Sequence, residues 1–424
     1  MRTGYTRREF LQQGLVMVSA ATSVPAFLQH TAFAAGDPSH DVACVPNERI
    51  LVVVQLSGGN DGLNTVVPFG MDGYYTARPK LAVAADKTHI LDDDRGIGLH
   101  PWMRALHEMI GEGQAAIVQG VGYPNPNRSH SVSMNVWHRG DRGHRMKHGW
   151  LGRAMDHLHA GDPTFRGGVV SQTMYPPRAA IGRLSQPMTI HDPQRLTWNA
   201  EHLAEDLARH SHRDPVENEG DATSYVQQQL RFIRRTQMDA RLTSDKLVDA
   251  LADEPLVTYP KNRLAQQLQR VTAMMRAGLH TRVHYVYHGS FDLHSQQAHA
   301  HAVLLNEFAE SLRAFYRELK AMGEDQRVVT MAFTEFGRRV EENASGGTDH
   351  GTASPVFLFG PLATPGLYGV HPALTDDALD DGDLVHGMDF RSIYATVLDD
   401  WMRIDSRSVL GGDFRPVSGI FVDK

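Results

Sequence analysis

The sequence predicts an α/β fold with a doubly wound, mostly parallel central sheet and helices on both faces. Three observations support this prediction. Short runs rich in Val, Ile and Leu recur along the chain, they alternate with longer segments whose apolar residues fall at helical spacing, and several runs end in Gly, Asp, Asn or Ser. Continuous apolar runs are typical of parallel strands buried on both faces, and alternating strands and helices are typical of doubly wound sheets.

The elements follow from these patterns in chain order. Strands are predicted at residues 49–56, 115–121, 283–287, 328–333 and 356–359. Helices are predicted at 129–140, 224–251, 262–279 and 298–322, where apolar residues recur every three or four positions. Residues 49–424 are predicted to form one domain, with a loop-rich insertion at about 142–220 that covers the site.

Composition narrows the class of ligand. The chain has 424 residues, of which 41% are hydrophobic, and a formal net charge of −7. This charge gives no basic surface for nucleic acid, so we expect a small-molecule or polymer ligand instead. The 24 His fall in clusters at 130–148, 202–212 and 284–301. Such clusters indicate metal binding, although the second is more typical of a solvated loop.

The first 34 residues have the pattern of a twin-arginine signal peptide. Arg7 and Arg8 precede a mildly apolar stretch at 14–27, and a small-x-small site follows at Ala32–Ala34. A short anchor helix is the alternative, but the stretch is too short for a stable membrane span and Pro25 interrupts it. Residues 35–48 are predicted as a linker. We therefore expect a partner in the twin-arginine export machinery and a periplasmic or secreted location.

Polar residues follow several of the predicted strands. They are Asp61, the pair Asp292 and His294, and the adjacent pair Asp349 and His350, while Ser129 follows a fourth strand. Carboxylates and imidazoles at the carboxyl edge of one sheet can share a divalent ion, and this mixture suits Zn or Mn. Asp61 as a helix cap and Ser129 as a simple N-cap are the structural alternatives.

One or two such ions would suit hydrolysis of an ester. Two ions about 4 Å apart form the clamp used in phosphoryl transfer. In this hypothesis the Ser129 hydroxyl attacks phosphorus or sulfur, with His130 and Ser131 as competing candidates. Arg128 or Arg338 would balance the charge of the ester. Further candidates for substrate contact or for supporting the ligands are Asn64 and Glu335, and a Glu335–Arg338 salt bridge is the alternative for that pair.

Several sequence blocks resemble one family in the same order. They are GGNDGLNTVVP at 58–68, NRSH at 127–130, FDLHSQQ at 291–297, TEFGR at 334–338, GTDHG at 347–351 and DFRSIYATVL at 389–398. Together they resemble the bacterial, twin-arginine-exported family catalogued as domain of unknown function 1501, which is similar to the alkaline phosphatase and sulfatase superfamily.

That resemblance implies an alkaline-phosphatase-like fold and a set of roles. Asp61 would be an early metal ligand and Ser129 the nucleophile. Asp292 with His294 and Asp349 with His350 would supply the two metal pairs. A late histidine ligand is open between two positions, His371 and His386.

The predicted function is an exported, metal-dependent hydrolase of phosphate or sulfate esters. Two alternatives stay open. One is an esterase in which the GGND block supplies an oxyanion hole. The other is an exported, non-catalytic binding or surface-assembly protein on the same fold.

Overall fold

A computed structural model of the chain describes residues 49–143, 145–161, 168–190, 249, 252–279 and 281–421. The predicted signal peptide, the predicted linker and nearly all of the predicted helix at 224–251 lie outside these residues. Within the described part of the chain, no helix is both long and apolar enough to cross a membrane.

The described residues contain fourteen strands, numbered here in chain order. They are β1 Ile50–Leu56, β2 Val66–Val67, β3 His89–Asp92, β4 Ile97–Leu99, β5 Ala115–Gly122, β6 Val169–Ser171, β7 Met188–Thr189, β8 Val283–His288, β9 Val328–Phe333, β10 Ser354–Phe359, β11 Gly366–Tyr368, β12 Leu379–Asp380, β13 Asp383–Leu384 and β14 Met388–Asp389.

The helices are numbered in the same way. They are α1 Gly62–Thr65, α2 Asp72–Ala77, α3 Arg104–Gly111, α4 His130–Arg139, α5 Trp150–Gly161, α6 Arg263–Arg276, α7 Gln297–Met322, α8 Phe390–Ala395 and α9 Ser406–Leu410, with a π-helical turn at Thr396–Met402 directly after α8.

Nine strands form the main sheet, and β1 lies near its centre. The spatial order is β11, β5, β10, β9, β1, β8, β6 and β7, with β14 paired to β5. Strand β1 is parallel to both neighbours, so that Val53 lies between Tyr285 on β8 and Met331 on β9. Only β10 runs antiparallel to its neighbours. The carboxyl ends of β5, β9, β1 and β8 therefore meet at one edge of the sheet.

Both faces of the sheet are covered by apolar core. Val52 and Val54 of β1 point into a core packed with residues of α3, α6 and α7. Leu51 and Val53 alternate with them and point into a second core, which includes Trp137 of α4 and other aromatic residues. Because β1, β5, β9 and β10 bury both of their faces, their sequences are largely continuous apolar runs. The predicted doubly wound, mostly parallel sheet is confirmed.

The structure differs from the expected pattern at two places. The strand predicted at 356–359 begins at Ser354 and runs antiparallel, which a pattern of apolar residues does not encode. The stretch predicted as a loop-rich cover contains α5, whose Trp150, Leu151, Ala154 and Met155 are buried at helical spacing. It also contains β6 and β7, which extend the main sheet beyond β8. The described part of this stretch is thus part of the sheet layer.

Candidate functional site

One buried arginine joins the loops that follow β1, β8 and β9. Arg338 is 2% exposed, and its Nε donates to the carbonyl of Gly59 across 2.7 Å. Its Nη1 donates to the carbonyl of Thr348 across 2.9 Å. Its Nη2 donates to the carbonyl of Phe291 across 3.0 Å and to Oδ1 of Asp292 across 2.8 Å. A planar guanidinium with five donors suits this role, and it fixes the three loops relative to one another.

The β1 loop approaches the β8 loop so closely that only glycine fits. Gly58 has φ +117°, and a Cβ there would lie 2.4 Å from the backbone nitrogen of Asp292. The glycines of the GGND block therefore allow backbone packing beneath the site. Two backbone amide groups of this block already donate hydrogen bonds. Gly58 N donates to Glu335, and Asn60 N donates to Oγ1 of Thr334.

Three imidazole rings surround the carboxylate of Asp292. Nε2 of His294 lies 2.9 Å and Nε2 of His350 lies 3.0 Å from its Oδ1, and Nε2 of His130 lies 3.4 Å from its Oδ2. The two nitrogens of His294 and His350 are 3.0 Å apart. The three rings come from different parts of the chain, and the fold brings their Nε2 atoms to one carboxylate.

Each ring is oriented through its other nitrogen. Nδ1 of His130 lies 2.8 Å from Oε1 of Glu335, and Nδ1 of His350 lies 2.8 Å from the carbonyl of Arg128. Nδ1 of His294 lies 3.1 Å from Oδ1 of Asp349. Carboxylate and carbonyl oxygens only accept hydrogen bonds, so Nδ1 carries the proton in these pairs. The Nε2 lone pairs are then left facing Asp292.

This donor set fits a divalent metal ion. Ligands about 2.0–2.2 Å from a tetrahedral ion lie about 3.3 Å from one another, close to the separations observed here. Metal-bound histidines usually donate their other ring N–H to a carboxylate or carbonyl, as all three rings do. Nε2 of His130 is buried and has no hydrogen-bond partner, which a metal ligand would explain. His130, His350 and Asp292 lie close enough together to hold one ion, and Nε2 of His294 lies beside the last two of these residues.

The surroundings keep the carboxylates of the site charged. Burial works to raise the pKa of Asp292, but the hydrogen bond from Arg338 and the positive charge of that guanidinium outweigh it and hold the pKa far below its usual value. The hydrogen bond from His294 lowers the pKa of Asp349. Asp292 is half-exposed, with its side chain 47% accessible, so a ligand can reach the cluster from solvent.

Two predicted residues lie in a neighbouring polar network instead. Asp61 is 2% exposed, and its Oδ2 accepts from Arg78 across 2.6 Å and from Gln297. The Oδ1 of Asn64 accepts from Arg78 and from the hydroxyl of Tyr74, both across 2.8 Å. Asp61 also accepts from the Asn64 amide as the N-cap of α1. A guanidinium already neutralises Asp61, which also serves as a helix cap, and Asn64 is 3% exposed.

Both predicted substrate-binding arginines are already paired. The guanidinium of Arg128 bonds to Asp383 and lies 3.5 Å from Asp381, while that of Arg338 is enclosed as described above. The predicted Glu335–Arg338 salt bridge is wrong, because Glu335 accepts from His130 and Gly58 whereas Arg338 binds Asp292. Both guanidinium groups thus already face carboxylates.

The serine candidates lie beside the cluster. Ser129 is exposed and is the N-cap residue of α4, yet its side chain makes no capping hydrogen bond. Its Oγ lies 3.3 Å from Oγ of Ser131. The two late histidines lie elsewhere: His371 bonds to the carbonyl of Pro372, and His386 lines a cavity beside Glu335. Neither joins the group of His130, Asp292 and His350.

The fold and site define an α/β protein with a His/Asp cluster at the carboxyl edge of a mostly parallel sheet. The chain belongs to the family described as "Protein of unknown function (DUF1501)", whose model matches residues 48–412. A comparison with curated proteins found no similar sequence.

Solved structures of similar proteins have low sequence identity. The periplasmic domain of EcEptC from Escherichia coli, in complex with Zn, is 10% identical with a TM-score of 0.33, and the match covers 75% of this chain and 74% of that chain. The alkaline phosphatase of the Antarctic bacterium TAB5 is 9% identical with a TM-score of 0.31, covering 76% and 94%. The PsFucS1 sulfatase from Pseudoalteromonas sp. is 9% identical with a TM-score of 0.34, covering 94% and 72%. The chemistry proposed for this chain therefore rests on its own side chains.

Proposed function

We propose that this chain is an exported, metal-dependent hydrolase of phosphate or sulfate esters. In this proposal His130, His294, His350 and Asp292 hold one divalent ion, with Zn favoured over Mn because three of the four ligands are imidazoles. The observation that supports it is the convergence of three Nε2 atoms within 3.4 Å of one carboxylate.

Of the one or two ions expected from the sequence, the proposal keeps one. Asp61 is engaged by Arg78, so it is not among the proposed ligands. Asp349 is 59% exposed and contacts Nδ1 of His294, so its role here is to orient that ring. The Nη2 of Arg338 lies beside Oδ1 of Asp292, where its fixed positive charge would compete with a second ion.

The residues around the cluster have distinct roles in this proposal. A divalent ion, when bound, would polarise the ester oxygens and lower the pKa of a nearby hydroxyl. Ser129 Oγ is the proposed nucleophile, because it is exposed, adjacent in sequence to His130 and free of a capping bond. Its attack would form a bond to phosphorus or sulfur and break the ester bond, the alcohol would leave with the proton of the serine hydroxyl, and water would then release the phosphate or sulfate from Ser129. Glu335 and Asp349 would hold the two neighbouring rings in place.

One observation favours a second candidate, a non-catalytic metal-binding protein. Both Arg128 and Arg338 are occupied by carboxylates, so the metal alone would have to neutralise an anionic ester. A binding protein has no such requirement. Turnover separates the two candidates, since both predict bound metal.

The esterase alternative has less support. An oxyanion hole needs amide groups that are free to donate, but the amides of Gly58 and Asn60 donate to Glu335 and Thr334. The side-chain nitrogen of Asn60 has no hydrogen-bond partner, yet Asn60 is 0% exposed and out of reach of a substrate.

Export by the twin-arginine route remains part of the proposal. Its support is the sequence pattern of residues 1–34. Fusing this segment to a reporter protein, with Arg7 and Arg8 both replaced by Lys as the control, tests it: the parent fusion should reach the periplasm and the control should not.

The experiment for the hydrolase combines metal analysis with turnover. The mature protein, purified from its own host, should contain one divalent ion per chain and hydrolyse an aryl phosphate or an aryl sulfate. Ser129→Ala should abolish turnover and keep the metal, whereas Ser131→Ala should retain both. Metal without turnover would favour the binding protein, and a chain that holds no metal would refute both candidates.

A further inference from the structure

A cavity adjoins the candidate metal centre on the side of α4. Its volume is about 110 Å³, and its walls come from the loops after β5 and β9 and from residues 380–386. None of its lining residues is one of the four proposed metal ligands.

Two side chains belong to both the cavity and the metal centre. Glu335 lines the cavity and accepts from Nδ1 of His130. Phe336 also lines it, and its ring centre lies 4.9 Å from that of His130 and 4.8 Å from that of His350. A molecule whose reactive group lies at the cluster could therefore extend along Phe336 into the cavity.

The lining is suited to an uncharged, largely apolar group. Tyr123, Trp137, Phe336, Leu384 and Val385 supply apolar surface. The charged lining residues are Glu335 and Asp380, with no Lys or Arg among them. A second anionic group on a ligand would therefore be repelled and left without a counter-ion.

The size of the cavity limits the group that it can hold. The volume is somewhat smaller than the roughly 150 Å³ cavity that holds benzene in another protein, so it suits one small ring or a branched alkyl group.

We infer that this cavity binds an uncharged aryl or branched alkyl group. Where the proposed function holds, that group is the alcohol part of the ester, and the substrate is an ester of an apolar alcohol or phenol. This assignment of the substrate rests on the proposed function, whereas binding by the cavity does not.

Binding of fluorinated probes, followed by ¹⁹F NMR with the full chain, tests the cavity. At about pH 7, where a phenol is uncharged, 4-fluorophenol should bind about tenfold more tightly than 4-fluorobenzenesulfonate, because the sulfonate has no counter-ion in the cavity. Val385→Trp should weaken 4-fluorophenol binding about fivefold or more by filling the mouth. Val370→Trp is the matched control, since Val370 is exposed and lies outside the lining.

Equal affinities for phenol and sulfonate, or full binding by Val385→Trp, would overturn the cavity inference.

Zinc content, measured on the same samples, separates this inference from the proposed function. A zinc-free protein that binds 4-fluorophenol with the expected selectivity would support the cavity and refute the hydrolase. A zinc-containing protein that fails to bind 4-fluorophenol would refute the cavity alone.

Discussion

Glu335 accepts a hydrogen bond from Nδ1 of His130 across 2.8 Å, although 205 residues separate the two in the chain. The bond fixes the ring so that its Nε2 faces Asp292. Replacing such a partner of a ligand histidine typically costs 10–100-fold in metal affinity. We expect Glu335→Gln to lower zinc affinity by roughly that factor, as measured by competition with a chromophoric chelator.

The matched control is Glu341→Gln, which removes the same charge at an exposed position of the loop after β9. Glutamine at 335 can still accept from Gly58 N, so folding should persist. An affinity that is unchanged in Glu335→Gln, or equally reduced in both variants, would contradict the orienting role.

Asp349 and His350 are adjacent in the sequence, but substitutions at the two positions should affect zinc binding differently. His350 presents Nε2 to the cluster, whereas Asp349 contacts only the far nitrogen of His294 within it. We expect His350→Ala to lose its zinc on dialysis, and Asp349→Asn to retain zinc with affinity reduced roughly 10–100-fold. Elemental analysis after dialysis measures the difference. Equal loss of zinc from the two variants would indicate that Asp349 is a direct ligand.

Much of this site could be predicted because the ends of buried strands can be recognised in the sequence. Apolar runs located β1, β8 and β9, and parallel pairing then brought the polar residues that follow them to one edge. This reasoning expected Asp292 with His294 at one ion and Asp349 with His350 at another, whereas the fold brings Asp292, His294 and His350 together. The hydrogen-bond and ion-pair partners that determine the role of each residue could not be predicted from the sequence. Arg78 follows Asp61 by 17 residues, with no pattern to mark the pair, and only the folded chain brings Glu335 to His130.

A substitution at Asp61 tests whether this residue has a structural role or binds metal. Its carboxylate is the partner of Arg78, which is 0% exposed. Removing one member of a buried ion pair leaves the other charge uncompensated and typically costs about 3–5 kcal/mol. We expect Asp61→Asn to lower the free energy of unfolding by an amount near that range and to leave one zinc per chain.

Urea denaturation and elemental analysis of the same samples measure the two quantities. The double variant Asp61→Asn with Arg78→Met serves as the control, because it removes both charges and should be more stable than the single variant. If Asp61→Asn kept its stability and lost its zinc, Asp61 would be a ligand after all.

His284 makes stability depend on pH. It is 1% exposed on β8, and neither ring nitrogen has a hydrogen-bond partner. Burial lowers its pKa to about 3 in the folded chain, against about 6.5 for an unfolded histidine. Above about pH 6.5 neither state is protonated there, so this group has no effect on stability. As the pH falls from that value, only the unfolded chain takes up the proton, and the folded state loses about 1.4 kcal/mol per pH unit.

His284→Leu should therefore unfold less readily than the parent in acid. Its free energy of unfolding should fall less steeply between about pH 6.5 and 4, by the equivalent of one proton. Urea denaturation at several pH values, with chelator present throughout, measures the slope. His157→Leu, at an exposed position on α5, is the control and should follow the parent. Parallel slopes for His284→Leu and the parent would show that His284 is already protonated, or reaches solvent, in the folded protein.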